Sequence, residues 1–189
     1  MLPRTALFLD RDGTLIEEVG YLSDPDQIQL IPGAADVVRH ANEIGVPVVV
    51  VTNQAGVARG LFTEARVGEV HRHLTALLAE HGATVDAYYY CPHYLKGTIE
   101  EYRIECECRK PSPGMLLRAA RDLSLTLDGS WMVGDRLSDL EAGAAAGCRT
   151  ILVRTGYGSQ VIELPPVETI RLAGVFADLP AAAELIFPR

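Results

Sequence analysis

Cysteine is scarce in this chain, four among 189 residues. That excludes a small disulfide scaffold and leaves the spacing of the four, not their number, to carry any meaning. Cations are also in deficit: seventeen Lys and Arg stand against twenty-five Asp and Glu, a net charge of −8. A nucleic-acid-coating surface or a polybasic membrane contact needs the opposite balance, so no nucleic acid and no membrane are expected as partners. No apolar run approaches the ~20 residues of a membrane span. The opening Met1-Leu2-Pro3-Arg4-Thr5 lacks the charged region, apolar stretch and cleavage site of a secretory leader, so a cytoplasmic location is expected.

What is present is ordinary globular material, 48% hydrophobic and 22% charged. The length suits one domain, 1–189, with a substantial core. An acidic protein raises a question about any acidic substrate, which has to be attracted locally if at all.

Short β-branched or apolar runs alternate with helical patterns. Ala6–Leu9, Val46–Val51, Val85–Tyr90, Met132–Val133 and Thr150–Val153 read as strands buried on both faces, as in a parallel sheet. A helix is expected near Ala34–Ile44. Another is capped by Thr63, stopped at Gly82, and carries Val67, Val70, Leu74, Leu77 and Leu78 on one stripe. Ser112-Pro113 is expected to open a third, and Ser138–Ala146 forms a fourth that stops at Gly147. Alternation of this kind implies right-handed crossovers and a three-layer α/β sandwich with a mostly parallel, Rossmann-like sheet. Ligands then bind beyond the carboxyl ends of the strands, near the point where strand order reverses.

Those strand ends are rich in chemistry. The first run stops at Asp10-Arg11-Asp12-Gly13-Thr14, two carboxylates on the same side of an extended segment, although a polar turn uses the same residues. The second ends in Thr52-Asn53-Gln54-Ala55, neutral donors suited to an anion or to a helix cap. The fourth ends in Gly134-Asp135-Arg136, with Asp139 one helical turn on, where it serves either as an ordinary cap or as support for the site. Carboxylates converging at about 4 Å repel by roughly 4 kcal/mol per pair at an effective dielectric of 20, so such a cluster needs a cation. All-oxygen ligands on an open edge favour Mg²⁺. Arg109 and Lys110 bring counter-charge from a third side.

Asp10-x-Asp12-Gly13-Thr14, Thr52 at a strand end, Lys110 ahead of a helix and Gly134-Asp135-x-x-x-Asp139 resemble, in order, the four motifs of the haloacid dehalogenase (HAD) superfamily. The resemblance spans about residues 6–155. It implies that Asp10 attacks phosphorus and that Asp12 protonates the leaving oxygen and then activates water. Thr52 and Lys110 hold the phosphoryl group, and Asp10, the backbone carbonyl of Asp12 and Asp135 bind Mg²⁺. The second Asp favours phosphatase over dehalogenase chemistry. Residues 13–31 are too few for a large cap domain, so an open site shaped by loops is expected.

Cys91-x-His93 and Cys106-x-Cys108 bracket twelve residues. Each is an i, i+2 pair whose members point one way in extended backbone, and two facing pairs make a closed four-ligand set suited to structural Zn²⁺. Ordinary core cysteines are the alternative. Because Cys108 adjoins Arg109 and Lys110, a metal in the loop 91–108 would fix the segment presenting both cations. Cys148, beyond the Gly147 stop, reads as a buried core thiol.

Together with Val57-Ala58-Arg59-Gly60 and Pro111-x-Pro113-Gly114-Met115-Leu116, this loop narrows the resemblance to the branch of heptose bisphosphate phosphatases. Histidinol-phosphate phosphatases share the motifs and the loop but differ after Gln54. The branch implies a small sugar bisphosphate substrate, held by Glu18, Val19, Gly20, Tyr21, Asn53, Gln54, Ala55, Arg109 and Arg136. Ala55 stands where Ser is frequent, and Arg136 where Lys is frequent. Histidinol phosphate, a broader monophosphate range, and a phosphate-binding module without chemistry are the competing readings. A monomer is expected. His40, His71, His73 and His81 are expected on helix surfaces.

Overall fold

The computed structural model describes residues 4–188. Six strands, β1 (Leu7–Leu9), β2 (Val48–Asn53), β3 (Ala87–Cys91), β4 (Trp131–Gly134), β5 (Arg149–Val153) and β6 (Leu172–Phe176), form one sheet. Their order is β3-β2-β1-β4-β5-β6, and every neighbouring pair is parallel. Among the described residues seven α-helices lie between or after them: α1 (Ala34–Glu43), α2 (Ala55–Ala58), α3 (Glu64–Glu80), α4 (Gly114–Asp122), α5 (Leu137–Ala146), α6 (Val167–Ile170) and, beyond β6, α7 (Leu179–Ile186).

Strand periodicity divides the core in two, because successive side chains point to opposite faces. Leu7, Leu9, Val48, Val50, Trp131, Val133, Ile151 and Val153 pack against α1, α3 and α7. Phe8, Val49, Val51 and Met132 face the other way, onto Met115, Leu116 and Ala119 of α4 and Ala142 of α5. Three layers result, as the alternating runs imply, and no large cap is inserted between β1 and α1. Cys148 is fully buried in the second cluster.

Several expectations need correction. β3 is an edge strand and only half-buried until Cys91, because it has a neighbour on one side alone. Ser112 does not cap a helix: Pro113 occupies the N-cap and α4 starts at Gly114, whose close approach to the Glu107 backbone leaves no space for a side chain. β6 and α7 are absent from the sequence reading, since Gly174 interrupts the strand run and the strand is half-exposed. His71 lies on the buried face of α3, not its surface, while Leu77 is only partly buried. Thr63 caps α3 as expected, its side chain accepting from the Arg66 amide, and Gly147 ends α5 in a left-handed turn.

Strand order reverses between β1 and β4, which both leave the sheet at the same edge. Asp10 follows β1 and Asp135 follows β4, so the topology alone brings these two carboxylates together.

Candidate active site

A cleft of about 520 Å³ opens above the switch point. Asp10, Asp12, Thr52, Asn53, Gln54 and Ala55 line it, with Glu18, Gly20 and Tyr21 from the loop after β1 and Arg109, Lys110 and Arg136 opposite. Of the residues expected at the site, Val19 stands apart, exposed to solvent and outside the cleft lining. Asp135 lies beneath the lining and is fully buried.

The floor is a knot of buried charge. Lys110 Nζ lies 2.8 Å from Asp10 Oδ1 and 2.7 Å from Asp139 Oδ1, and donates to the Val51 carbonyl at 2.7 Å. Its ammonium is thereby enclosed by two carboxylates and a carbonyl. Asp10 Oδ1 also accepts from the Arg11 amide at 2.8 Å. Asn53, at the end of β2, clamps the Lys110 backbone by donating to its carbonyl and accepting from its amide. The cation thus hangs from the sheet frame and not from a free loop.

One carboxylate oxygen each from Asp10, Asp135 and Asp139 lies within 4.8 Å of the other two, and all three residues are buried. Burial first, then repulsion from Asp139, raises the Asp10 pKa from 3.8 to about 8. The same two causes raise Asp135 to about 7. Burial alone would lower the Lys110 pKa, but Asp10 and Asp139 more than offset it. Asp135 Oδ2 accepts from the Tyr157 amide at 2.7 Å, whereas its buried Oδ1 has no protein partner. Gly13, with φ +79°, permits this crowding: a Cβ there would overlap the Asp135 carboxylate. Three acids, one lysine and an orphaned oxygen fit a divalent cation with oxygen ligands.

Asp12 is arranged differently. Its carboxylate turns toward Arg11, whose Nε and Nη2 donate at 3.0 to 3.2 Å, and accepts from Gln54 Nε2 at 3.1 Å. Gln54 Nε2 also donates to Thr52 Oγ1 at 2.9 Å.

A second cluster lies where β3 ends. Cys91, Cys106 and Cys108 are free thiols whose sulfurs lie 3.1 to 3.5 Å apart. His93 Nδ1 is 3.7 Å from Cys91 Sγ and 3.4 Å from Cys108 Sγ. Four ligand atoms at mutual distances near those of a tetrahedron of ~2.3 Å metal–sulfur bonds fit Zn²⁺. The hydrogen bond between Cys108 and Cys91 lowers the Cys108 thiol to about 5 and raises Cys91. The cluster reaches the cleft through Arg109, which donates to the His93 carbonyl at 3.1 Å and lies over the Tyr94 ring.

Residues 107–181 match the model of the HAD-hydrolase-like family. The D-glycero-β-D-manno-heptose-1,7-bisphosphate 7-phosphatase of Salmonella typhi is 47% identical over 80% of this chain and 81% of its own. That of Escherichia coli K12 is 46% identical over 80% of each. The crystal structure of D,D-heptose 1,7-bisphosphate phosphatase from B. bronchiseptica, complexed with magnesium and phosphate, superposes with a TM-score of 0.84 at 36% identity. It covers 96% of this chain and 97% of that one. The chain belongs to the heptose 1,7-bisphosphate 7-phosphatase family.

Several contacts at the site join residues that the sequence did not pair. Asp139 is no simple cap: it sits in the third position of α5, accepts from the Arg136 amide at 2.9 Å, and also meets Lys110. Gly134 leaves room for it, since a Cβ at that position would fall inside its carboxylate. Arg59 packs on Tyr94 from 4.6 Å and Tyr157 carries the Arg136 guanidinium at 3.7 Å, so aromatic faces hold two of the rim cations. Arg11, 1% exposed, and His71, 7% exposed, form a further buried group behind Asp12.

Proposed function

We propose that this chain is a Mg²⁺-dependent phosphatase that removes the 7-phosphate of D-glycero-D-manno-heptose 1,7-bisphosphate, the β-anomer named for its relatives. The product is heptose 1-phosphate, a precursor for nucleotide-activated heptose in surface glycan synthesis. The observation that carries this reading is the two-ended charge of the cleft. A carboxylate–lysine knot lies at its floor, and Arg59, Arg109 and Arg136 stand around it, cations for a second phosphate. Arg136 lies 3.7 Å from Glu18, and a monophosphate would leave Arg59 and Arg109 without an anionic partner.

Asp10 is the nucleophile. Its carboxylate oxygen forms a bond to phosphorus as the bond to the sugar oxygen breaks, giving an aspartyl-phosphate. Asp12 gives its proton to the departing oxygen, then accepts one from the water that attacks the same phosphorus and releases Asp10. Thr52 donates to a phosphoryl oxygen, and the Lys110 charge offsets the negative charge that develops beside Asp10. Mg²⁺, when bound by Asp10, the Asp12 carbonyl and Asp135, supplies charge neutralisation and aligns the phosphoryl group. Asp139 orients Lys110 toward Asp10. Cys91, His93, Cys106 and Cys108 would hold Zn²⁺ with no ligand position left for substrate; its role would be structural, steadying the loop through which His93 meets Arg109, while Lys110 is held by the sheet. The substrate-contact set is Glu18, Gly20, Tyr21, Asn53, Gln54, Ala55, Arg109 and Arg136.

The test is Mg²⁺-dependent phosphate release from both heptose 1,7-bisphosphate anomers and from histidinol phosphate. The expected result is the highest kcat/KM on the β-heptose bisphosphate. A higher value on histidinol phosphate would overturn the substrate assignment.

A further inference from the structure

Arg11 is the largest fully buried side chain among the described residues, and the chemistry above makes no use of it. A buried guanidinium needs partners for its donors, since burying an unpaired charge costs several kcal/mol. Two of its nitrogens grip the Asp12 carboxylate side by side, with Nη2 2.9 Å from Oδ2. The third nitrogen, Nη1, lies 3.3 Å from Nε2 of His71, sixty residues away on α3. A guanidinium has no lone pair to offer, so His71 is the acceptor in that contact and carries its ring proton on Nδ1.

The imidazole is held firmly in this role. Its ring stacks on Tyr88 with centroids 4.6 Å apart and planes 19° from parallel, and it meets Tyr90 nearly edge-on at 5.9 Å. Thr75 Oγ1 donates its one proton to the His71 carbonyl at 2.9 Å and lies 3.1 Å from the Tyr88 hydroxyl. Burial first, and the Arg11 charge second, lower the His71 pKa to about 3, so the ring stays neutral and able to accept. Beyond Asp12 the chain of contacts continues through Gln54 to Thr52. A network therefore runs from the middle of α3 to the phosphate end of the cleft, with the Asp12 carboxylate at its centre.

We infer that Arg11 and His71 are positioning residues for Asp12: the guanidinium fork fixes the plane of the carboxylate, and His71 fixes the guanidinium. This rests on the reading of Asp12 as the proton donor to the leaving oxygen. A side chain on a loop end rotates freely unless gripped, and a proton donor is useful only within hydrogen-bond reach of the oxygen it serves. In the first step the Asp12 O–H bond breaks and its proton passes to the sugar oxygen as the P–O bond to that oxygen breaks. In the second step the carboxylate takes a proton from water as the water oxygen bonds to phosphorus.

The experiment compares kcat/KM, which reports the first step alone, for two leaving groups on the Mg²⁺-loaded full chain. Heptose bisphosphate expels a poor leaving group that needs the proton, and p-nitrophenyl phosphate expels one that does not. His71→Leu is expected to lower kcat/KM on the sugar substrate by about tenfold or more and on the aryl substrate by less than about threefold. His71→Gln, which keeps an acceptor at similar reach, is expected to recover most of the loss. Should the leucine variant not fold, His71→Asn, whose acceptor falls short of Arg11, takes its place. Equal losses on both substrates, or no recovery in the glutamine variant, would overturn the proposal. Asp12→Asn separates the two levels. A loss confined to the sugar substrate upholds Asp12 as the donor whatever His71 does, while equal losses there would overturn the reading of Asp12 itself.

Discussion

Two clusters of chemically active side chains lie at the same edge of the sheet, and they differ in what holds them. Asp10, Asp135 and Lys110 hang from the central strands: two follow β1 and β4 directly, and the third is clamped to β2 through Asn53 and Val51. Only Cys91 of the thiol cluster belongs to a strand. His93, Cys106 and Cys108 lie on a segment whose one regular element is a 3-10 turn over Glu100–Tyr102. The first cluster is thus prebuilt by packing and carries unbalanced charge toward an open cleft, as a site for turnover must. The second is closed upon itself and depends on its own ligands for shape. Their meeting point is Cys108-Arg109-Lys110, where the loop hands its geometry to the sheet.

That contrast breaks most sharply at Asp10. Asp10→Asn should lower kcat by about 10⁴-fold or more while leaving the circular dichroism spectrum and zinc content unchanged, because the nucleophile is lost and the frame is not. Lys110→Met should cost both activity and stability. It leaves Asp10 and Asp139 buried without their cation, so a loss of about 3–5 kcal/mol in denaturant unfolding is expected with a fall in kcat of about 10²-fold or more. Cys106→Ala should act on the loop alone. Loss of the bound zinc, a lower Tm and a KM raised several-fold are expected with a much smaller change in kcat; an unchanged KM and Tm in a zinc-free protein would remove the link between the clusters. Arg136→Ala should be the mildest, raising KM for the bisphosphate by about tenfold, the order of one charge-assisted contact, and KM for a monophosphate less.

The sheet was legible in the sequence because a buried parallel strand is a short apolar run that stops abruptly, and Leu7–Leu9 or Val48–Val51 could hardly be anything else. The carboxylates were legible because strand ends of this fold are where chemistry sits. The edges were less so: β6 contains Gly174 and is half-exposed, so nothing distinguishes it from a loop. Partnerships across the fold were legible only in outline: Lys110 was expected to bring counter-charge to the strand-end carboxylates, but not which of them it meets. Asp139 matches a cap pattern, and only the folded chain brings Lys110 to within 2.7 Å of it. His71 did leave a trace, lying four residues after Val67 and three before Leu74 on one stripe of α3, the buried one. Nothing in a run of residues reveals that Arg11, flanked by two acids, turns inward to meet it.

The central claim is that phosphate leaves in two displacements, with Asp10 carrying it between them. The steric course at phosphorus tests this most directly. A heptose bisphosphate analogue whose 7-phosphate is a phosphorothioate, made chiral with two oxygen isotopes, is hydrolysed in water of the third isotope, and the configuration of the released thiophosphate is determined. Two in-line displacements predict net retention. Inversion would mean that water attacks the substrate directly and that Asp10 never bonds to phosphorus.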